Sequence, residues 1–258
     1  MVLFAIFCIG LAAGFVDAIA GGGGLIMLPG LLLTGLPVGG AIATNKLCGT
    51  CGAIASSLKF ATANQVDWRA CRLMALPIIL GSFLGSRSIG LLPTTWAEPL
   101  VIFLMTTITL FVVFNPDFGM SSVPAVSIEQ SSPQQTYKRV ALSLLLGLVI
   151  GFHDGFFGPG TGVFLVFVLL SLWSQGFLRA TGSAKILNLL ANATALITFA
   201  LSGNISYSKG IAGALGVTLG AYLGATLANK KGAKLIKPLF VTVTTILIIK
   251  LLFNYLTP

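Results

Sequence analysis

"GFVDAIAGGGGLIMLPG" occupies residues 14–30, and "GFHDGFFGPGTGVFLVF" occupies residues 151–167. Each sets one aspartate, Asp17 or Asp154, inside an otherwise apolar run and follows it with a cluster of glycines. Broken helix in a bilayer survives only where protein or a watered cavity satisfies the freed backbone groups. An acid followed by such a break is therefore not lipid-facing helix. Its recurrence points to two copies of one unit, each carrying its own interruption.

The rest of the chain fits a membrane protein. Of 258 residues, 56% are hydrophobic and 8% are charged, against about 25% charged in a soluble domain. Mean hydropathy is +0.99. Apolar runs of roughly 20 residues, the length that crosses a hydrocarbon core, recur throughout. The net charge of +9 is spread over loops, with no basic stripe or aromatic platform, so a nucleic-acid partner is excluded. Met1 leads directly into an apolar run with no basic region before it, so no removable signal peptide is expected.

Ten apolar segments can be marked: 2–20, 25–36, 41–62, 70–90 and 98–115, then 139–157, 162–174, 180–202, 209–228 and 236–255. This divides the chain into a first repeat (1–114), a polar linker rich in Ser, Pro and Gln (115–138) and a second repeat (139–258). Asp17 and Asp154 align at an offset of 137 (154 − 17), together with Gly14/Gly151, Gly21/Gly158 and Gly23/Gly160. Beyond the break the offset becomes 139 (185 − 46) and aligns Lys46/Lys185, Phe60/Phe199, Gly81/Gly220, Gly85/Gly224 and Pro99/Pro238.

An odd number of segments sends the second copy through the membrane upside down. The basic residues agree. Lys59, Arg69 and Arg72 flank the third loop of the first half, whereas Lys230, Lys231, Lys234 and Lys237 flank the fourth loop of the second. With positive loops inside, both termini lie outside. The expected fold is an all-α polytopic membrane protein built of two inverted five-segment repeats, with glycine-broken or re-entrant helices near the midplane. Segments 25–36 and 162–174 look too short to span: about 12 residues of helix reach roughly 18 Å.

The chemistry-bearing residues cluster at the breaks. Gly21, Gly22, Gly23 and Gly24 precede one helix start, and Gly158, Pro159, Gly160 and Thr161 precede the other. Helix N-termini present unpaired N–H groups and partial positive charge, which suits an anion. Lys46, in "ATNKL", and Lys185, in "GSAKIL", begin the third helix of each half. A lysine within a membrane helix normally faces a cavity or a partner; these are placed at the outer and inner approaches to an anion pathway. Thr44, Asn45, Ser183 and Asn188 accompany them as orienting groups, while Asn192, on the face of Asn188 and Lys185, reads as an interhelix hydrogen-bonding residue. For Asp17 and Asp154 three readings stay open: pairing with a lysine, capping the glycine turn, or carrying a proton. His153 is a further proton candidate outside the duplicated plan, since its counterpart is Val16.

These motifs, "GFVDAIAGGGGL", "ATNKL" and "GFHDGFFGPGTG", resemble the TauE/SafE family of sulfite exporters (the TSUP permeases), in its YfcA-like branch. The resemblance implies a multi-pass permease of the bacterial inner membrane for small sulfur-containing anions, sulfite and organosulfonates among them. It implies the same glycine clusters and the Thr44-Asn45-Lys46 and Ser183-Ala184-Lys185 stretches around the pathway. The expectation is a secondary transporter, an exporter working by alternating access, with proton coupling and a homodimer as further possibilities. No G-x-x-x-x-G-K-[ST] motif occurs, and no cofactor, metal or enzymatic activity is expected. Two alternatives are a passive anion channel and an intramembrane thiol couple formed by Cys48 and Cys51.

Overall fold

The structure, a computed structural model, describes residues 1–91, 99–100, 103–104, 106–107 and 133–231. The tenth apolar segment and most of the fifth and of the linker lie outside the described residues. Eight α-helices occur among them: α1 (Val2–Ala20), α2 (Gly24–Leu32), α3 (Val38–Thr62), α4 (Trp68–Ser88), α5 (Pro133–Phe156), α6 (Thr161–Trp173), α7 (Phe177–Leu201) and α8 (Tyr207–Lys231). Helices α1, α4, α5, α7 and α8 are long and apolar enough to cross a membrane by length and composition. Helix α3 has 25 residues, about 37 Å of rise, but its buried face carries Thr44, Asn45, Lys46, Thr50, Ser56 and Ser57.

Several helices begin before the apolar runs that announce them, because polar or imino residues set their starts. Pro37 precedes α3 in an extended conformation. Asp67 caps α4, its carboxylate accepting from the N–H groups of Arg69 (3.0 Å) and Ala70 (3.2 Å). Helix α5 starts at Pro133, within the stretch read as linker, where proline at the first helical position costs no hydrogen bond. Helix α2 stops at Leu32, short of the boundary at 36, as the chain turns through Thr34 and Gly35.

The helices pack in an arrangement whose two halves mirror each other. Helices α3 and α7 lie together at the centre; α8 packs on α3 and α4 on α7, with α1 against α8 and α5 against α4. Short α2 and α6 insert against this central pair, and every residue from Leu25 to Leu31 is buried. The two outer contacts use matching residues. Gly14 of α1 lies against the backbone of Val217, and Gly151 of α5 against that of Ile78. Likewise Gly220 and Gly224 meet Leu11 and Phe15, while Gly81 and Gly85 meet Leu148 and Phe152. Small residues four apart let backbones approach, the usual means of joining helices where lipid removes the hydrophobic drive. Each contact joins a helix before the linker to one after it.

Candidate functional site

Two interruptions in the chain meet at the middle of this assembly. Helix α1 ends where Gly21 adopts the left-handed region at φ 76° and its N–H donates to the Asp17 carbonyl at 2.8 Å. Helix α6 starts after Gly160, left-handed at φ 85°. Side chains other than glycine pay steric strain in that region. The breaks touch: a Cβ on Gly162 would lie 2.5 Å from the Gly21 Cα, and one on Gly24 would lie 3.0 Å from the Pro159 Cα. Among the described residues, neither the Gly24 nor the Gly162 N–H has a backbone acceptor. Gly22 and Gly23 carbonyls serve the first turn of α2, accepting from Leu25 and Ile26 at 3.0 Å each.

The two aspartates and two lysines pair across the repeats. Lys46 Nζ of α3 meets Asp154 Oδ2 of α5 at 2.7 Å, and Lys185 Nζ of α7 meets Asp17 Oδ2 of α1 at 2.7 Å. Of the readings left open, pairing describes both acids, and Asp17 also holds its turn: its Oδ1 accepts from the Gly23 N–H at 3.0 Å. Both lysines thus lie buried, each against the acid of the other half. The pairs are not equivalent. Lys46 and Asp154 are 0% and 1% exposed, whereas Asp17 in the second pair is 19% exposed. Gly158 leaves room for the Lys46 ammonium, since a Cβ there would stand 2.7 Å from Nζ.

A second set of crossed contacts lies one turn away. The Thr44 hydroxyl accepts from the Ser206 N–H at 3.0 Å, and the Ser183 hydroxyl accepts from the Asp67 N–H at 2.8 Å. Thr44 and Ser183 are counterparts at the 139-residue offset, and so are Asp67 and Ser206. Each hydroxyl therefore clasps the loop that starts a helix of the other half. On the Ser183 side the clasp extends: Gln175 Oε1 lies 3.2 Å from Ser183 Oγ, and Gln175 Nε2 donates to Asp67 Oδ2 at 3.2 Å.

Between the breaks is a cavity of about 40 Å³ lined by Asp17, Gly21, Gly23, Gly24, Asn45, Gly158, Gly160 and Asn188 among the residues read from the sequence. A water needs roughly 10–15 Å³ on that measure, so the space fits about three waters or one compact oxyanion. Gly22, Thr44, Lys46, Pro159, Thr161, Ser183, Lys185, His153 and Asp154 do not line it. Thr161 Oγ1 donates to the Gly158 carbonyl at 2.7 Å and lies 3.3 Å from His153 Nδ1. The His153 ring stands edge-on to Phe157 and Phe164, and its Nε2 is buried without a partner among the described residues.

The anion site read from the sequence did not include Cys48, Gly49, Gly162 or Asn192, all of which line the cavity. Asn192 donates from Nδ2 to the Asn188 carbonyl at 2.9 Å, as an interhelix role would not require. Its counterpart in the first half is Ala53, and that of Asn188 is Gly49. This small-for-amide exchange was the available signal: one half supplies side chains and the other leaves space for them. The Cys48 thiol donates to the Gly210 carbonyl at 3.4 Å, and Cys51 does not reach the cavity.

A family model described as sulfite exporter TauE/SafE matches residues 6–251. Among similar proteins, a probable membrane transporter protein of Haemophilus influenzae is 34% identical over 96% of this chain and 94% of its own length. A probable membrane transporter protein named ORF9, from a Sinorhizobium species, is 36% identical over 93% of this chain and 88% of its own. The probable membrane transporter protein YfcA of Escherichia coli K12 is 31% identical, covering 98% of this chain and 91% of its own. No solved structure matches.

Proposed function

Since the chain belongs to the sulfite exporter TauE/SafE family and is a membrane transporter, we propose that it exports sulfite or another small sulfur-containing anion across the bacterial inner membrane by alternating access. The observation that carries this reading is the cavity at the meeting of the two breaks, lined by Asn45, Asn188 and Asn192 and by Gly24 and Gly162, whose N–H groups have no backbone acceptor among the described residues. These are donors without formal charge, suited to an oxyanion that must also be released. The volume of about 40 Å³ favours the four heavy atoms of sulfite over a longer organosulfonate, which needs a more open form.

The two repeats are read as inverted copies, with both termini outside. Supporting this are the reversed basic loops, the crossed ion pairs and hydroxyl clasps, and the matched glycine contacts at α1–α8 and α4–α5. Rocking of one set of helices against the other exposes the midplane cavity to each side in turn. Lys46 and Lys185 act through their aspartates, and Thr44 and Ser183 hold the helix starts that shape the cavity.

The paired charges make the centre neutral: two lysines against two aspartates. An entering anion would leave an uncompensated negative charge in a medium where that is costly. A proton delivered to Asp17, the acid that lines the cavity, frees Lys185 to balance the anion, so anion and proton travel together and export runs down the anion's own outward gradient. The test is sulfite flux in proteoliposomes. Wild type should show saturable counterflow and accumulation driven by a pH gradient. Asp17→Asn should retain counterflow but lose the response to the gradient. An unaltered gradient response in Asp17→Asn overturns the coupling, and absence of saturable sulfite counterflow in wild type overturns the function.

A further inference from the structure

The central cavity has two unlike sides. Asn45, Asn188 and Asn192 line it together with Gly24 and Gly162, whose N–H groups have no backbone acceptor among the described residues. Ala13, Met27, Cys48 and Val217 line it as well, and none of these four side chains has a hydrogen to give. Alanine and valine are hydrocarbon, and a thioether is only a weak acceptor. The Cys48 thiol hydrogen is already donated to the Gly210 carbonyl at 3.4 Å. The Asp17 carboxylate, also in the lining, has both oxygens engaged: Oδ1 accepts from the Gly23 N–H and Oδ2 from Lys185.

The donor-free side chains form one surface. Gly213 of α8 leaves space for both the Met27 methyl and the Cys48 sulfur, which a Cβ there would strike. Val217 follows one turn later on α8 and fills the space over Gly52, one turn beyond Cys48 on α3. The backbone of Val217 in turn lies against Gly14, the neighbour of Ala13. Helices α7 and α8 both pack on α3 but not extensively on each other, so the α7 amides and this wall reach the cavity from different sides. At the repeat offsets, Ala13, Met27, Cys48 and Val217 correspond to Ile150, Phe164, Leu187 and Ile78. Each counterpart is larger, and none of them lines the cavity. The space exists on this side because smaller residues stand where the other half has bulky ones.

An oxyanion seated here turns oxygens to the donors and its remaining position to the wall. For sulfite that position is the sulfur lone pair. For sulfate it is a fourth oxygen, which loses its water and gains no hydrogen bond, an uncompensated cost. Resting on the reading of this cavity as the sulfite site, we propose that Met27, Cys48 and Val217 determine its specificity: they admit sulfur oxyanions with three oxygens and a lone pair or small apolar group in the fourth position, and they reject sulfate.

The experiment measures counterflow of labelled sulfite in oxygen-free proteoliposomes holding the purified full chain, with external sulfate or methanesulfonate as competitor. Both competitors are tetrahedral with five heavy atoms; one carries an oxygen and the other a methyl in the fourth position. Half-inhibition of the wild type should need at least about tenfold more sulfate than methanesulfonate, the factor for one buried acceptor left unpaired. Met27→Gln puts amide donors into the wall at nearly the same side-chain length and should bring the two competitors within about twofold. Met27→Leu, which stays apolar, should keep the wild-type ratio. The competitors also differ in charge, but that difference is the same for every variant, so the change of ratio reports hydrogen bonding alone. Equal inhibition by sulfate and methanesulfonate in the wild type overturns the inference without reference to any variant. An unchanged ratio in a Met27→Gln protein that still carries sulfite overturns it too. Absence of sulfite counterflow from the wild type is a different result: it overturns the export reading on which the inference rests.

Discussion

Replacing Lys46 with methionine keeps the side chain's length and removes its charge. Asp154 is then left 1% exposed with no ammonium, in the interior of a membrane protein. Removing one partner of a buried ion pair typically costs about 3–5 kcal/mol, because the remaining charge is stranded. Lys185→Met strands Asp17 less severely. That carboxylate is 19% exposed, borders the cavity and keeps the Gly23 N–H, so its loss should approach the roughly 1.5–3 kcal/mol of one charge-assisted hydrogen bond. The two variants should therefore differ by about 2 kcal/mol, which for a chain of this size is about 4–8 °C in Tm. Lys46→Met/Asp154→Leu should recover most of the loss, since replacing both members of a buried pair with apolar groups is often close to neutral. Thermal unfolding of the purified variants in one detergent, followed by tryptophan fluorescence, measures all three. Equal shifts for the two single variants, or a double variant no more stable than Lys46→Met, would refute the assignment of a sealed pair and an adaptable one.

Other outcomes follow from the same geometry. Gly151→Leu should lower Tm by the equivalent of about 1–3 kcal/mol or more through overpacking against Ile78, whereas Gly39→Ala, where a Cβ meets nothing within 4 Å, should leave it unchanged. Asn188→Ala should raise the KM for sulfite about tenfold, the worth of one hydrogen bond to a charged ligand, read in proteoliposome flux with protein yield as the control. Cys48→Ala/Cys51→Ala should retain sulfite flux under oxidising and reducing conditions alike; a loss confined to the variant would revive a thiol mechanism. Asp67→Ala should cost about 1 kcal/mol as a lost helix cap and more through Gln175, detected as a lowered Tm.

Residue spacing made the duplicated plan legible, yet it could not show which residues meet. The offsets equate Asp17 with Asp154 and Lys46 with Lys185, but equivalence says nothing about partnership. Each acid could have met the lysine of its own half. The structure crosses them because α3 and α7 lie side by side, while α1 and α5 pack on helices of the opposite half. For the same reason the sequence could not show that both lysines are buried against acids of the opposite half. Thr44 and Ser183 show a related limit. A buried hydroxyl next to a lysine looks like a ligand group in sequence, and its actual partner, the N–H of a distant loop, leaves no side-chain signature. The asymmetric residues were the more informative ones. Asn188 and Asn192, whose counterparts are Gly49 and Ala53, break the duplication where the cavity lies.

That asymmetry bears on which acid would carry a proton under the proposed coupling. A symmetric pair of sites would leave Asp17 and Asp154 interchangeable, and either could be released from its lysine. Here the Lys46–Asp154 pair is sealed on all sides and, with Gly158 packed on the ammonium, opening it would strand both charges in apolar surroundings. Asp17 can leave Lys185 without that penalty, because it already faces the cavity and has a second donor in the Gly23 N–H. Under the proposed mechanism one pair would work as a fixed pin between α3 and α5, and the other as the exchangeable contact between α1 and α7. Because Asp17 also holds the turn that leads into α2, the proposed coupling would act on the Gly23 contact and the Lys185 contact at once. A proton there would reach both the charge balance of the cavity and the backbone that forms its wall, which a proton on Asp154 would not do.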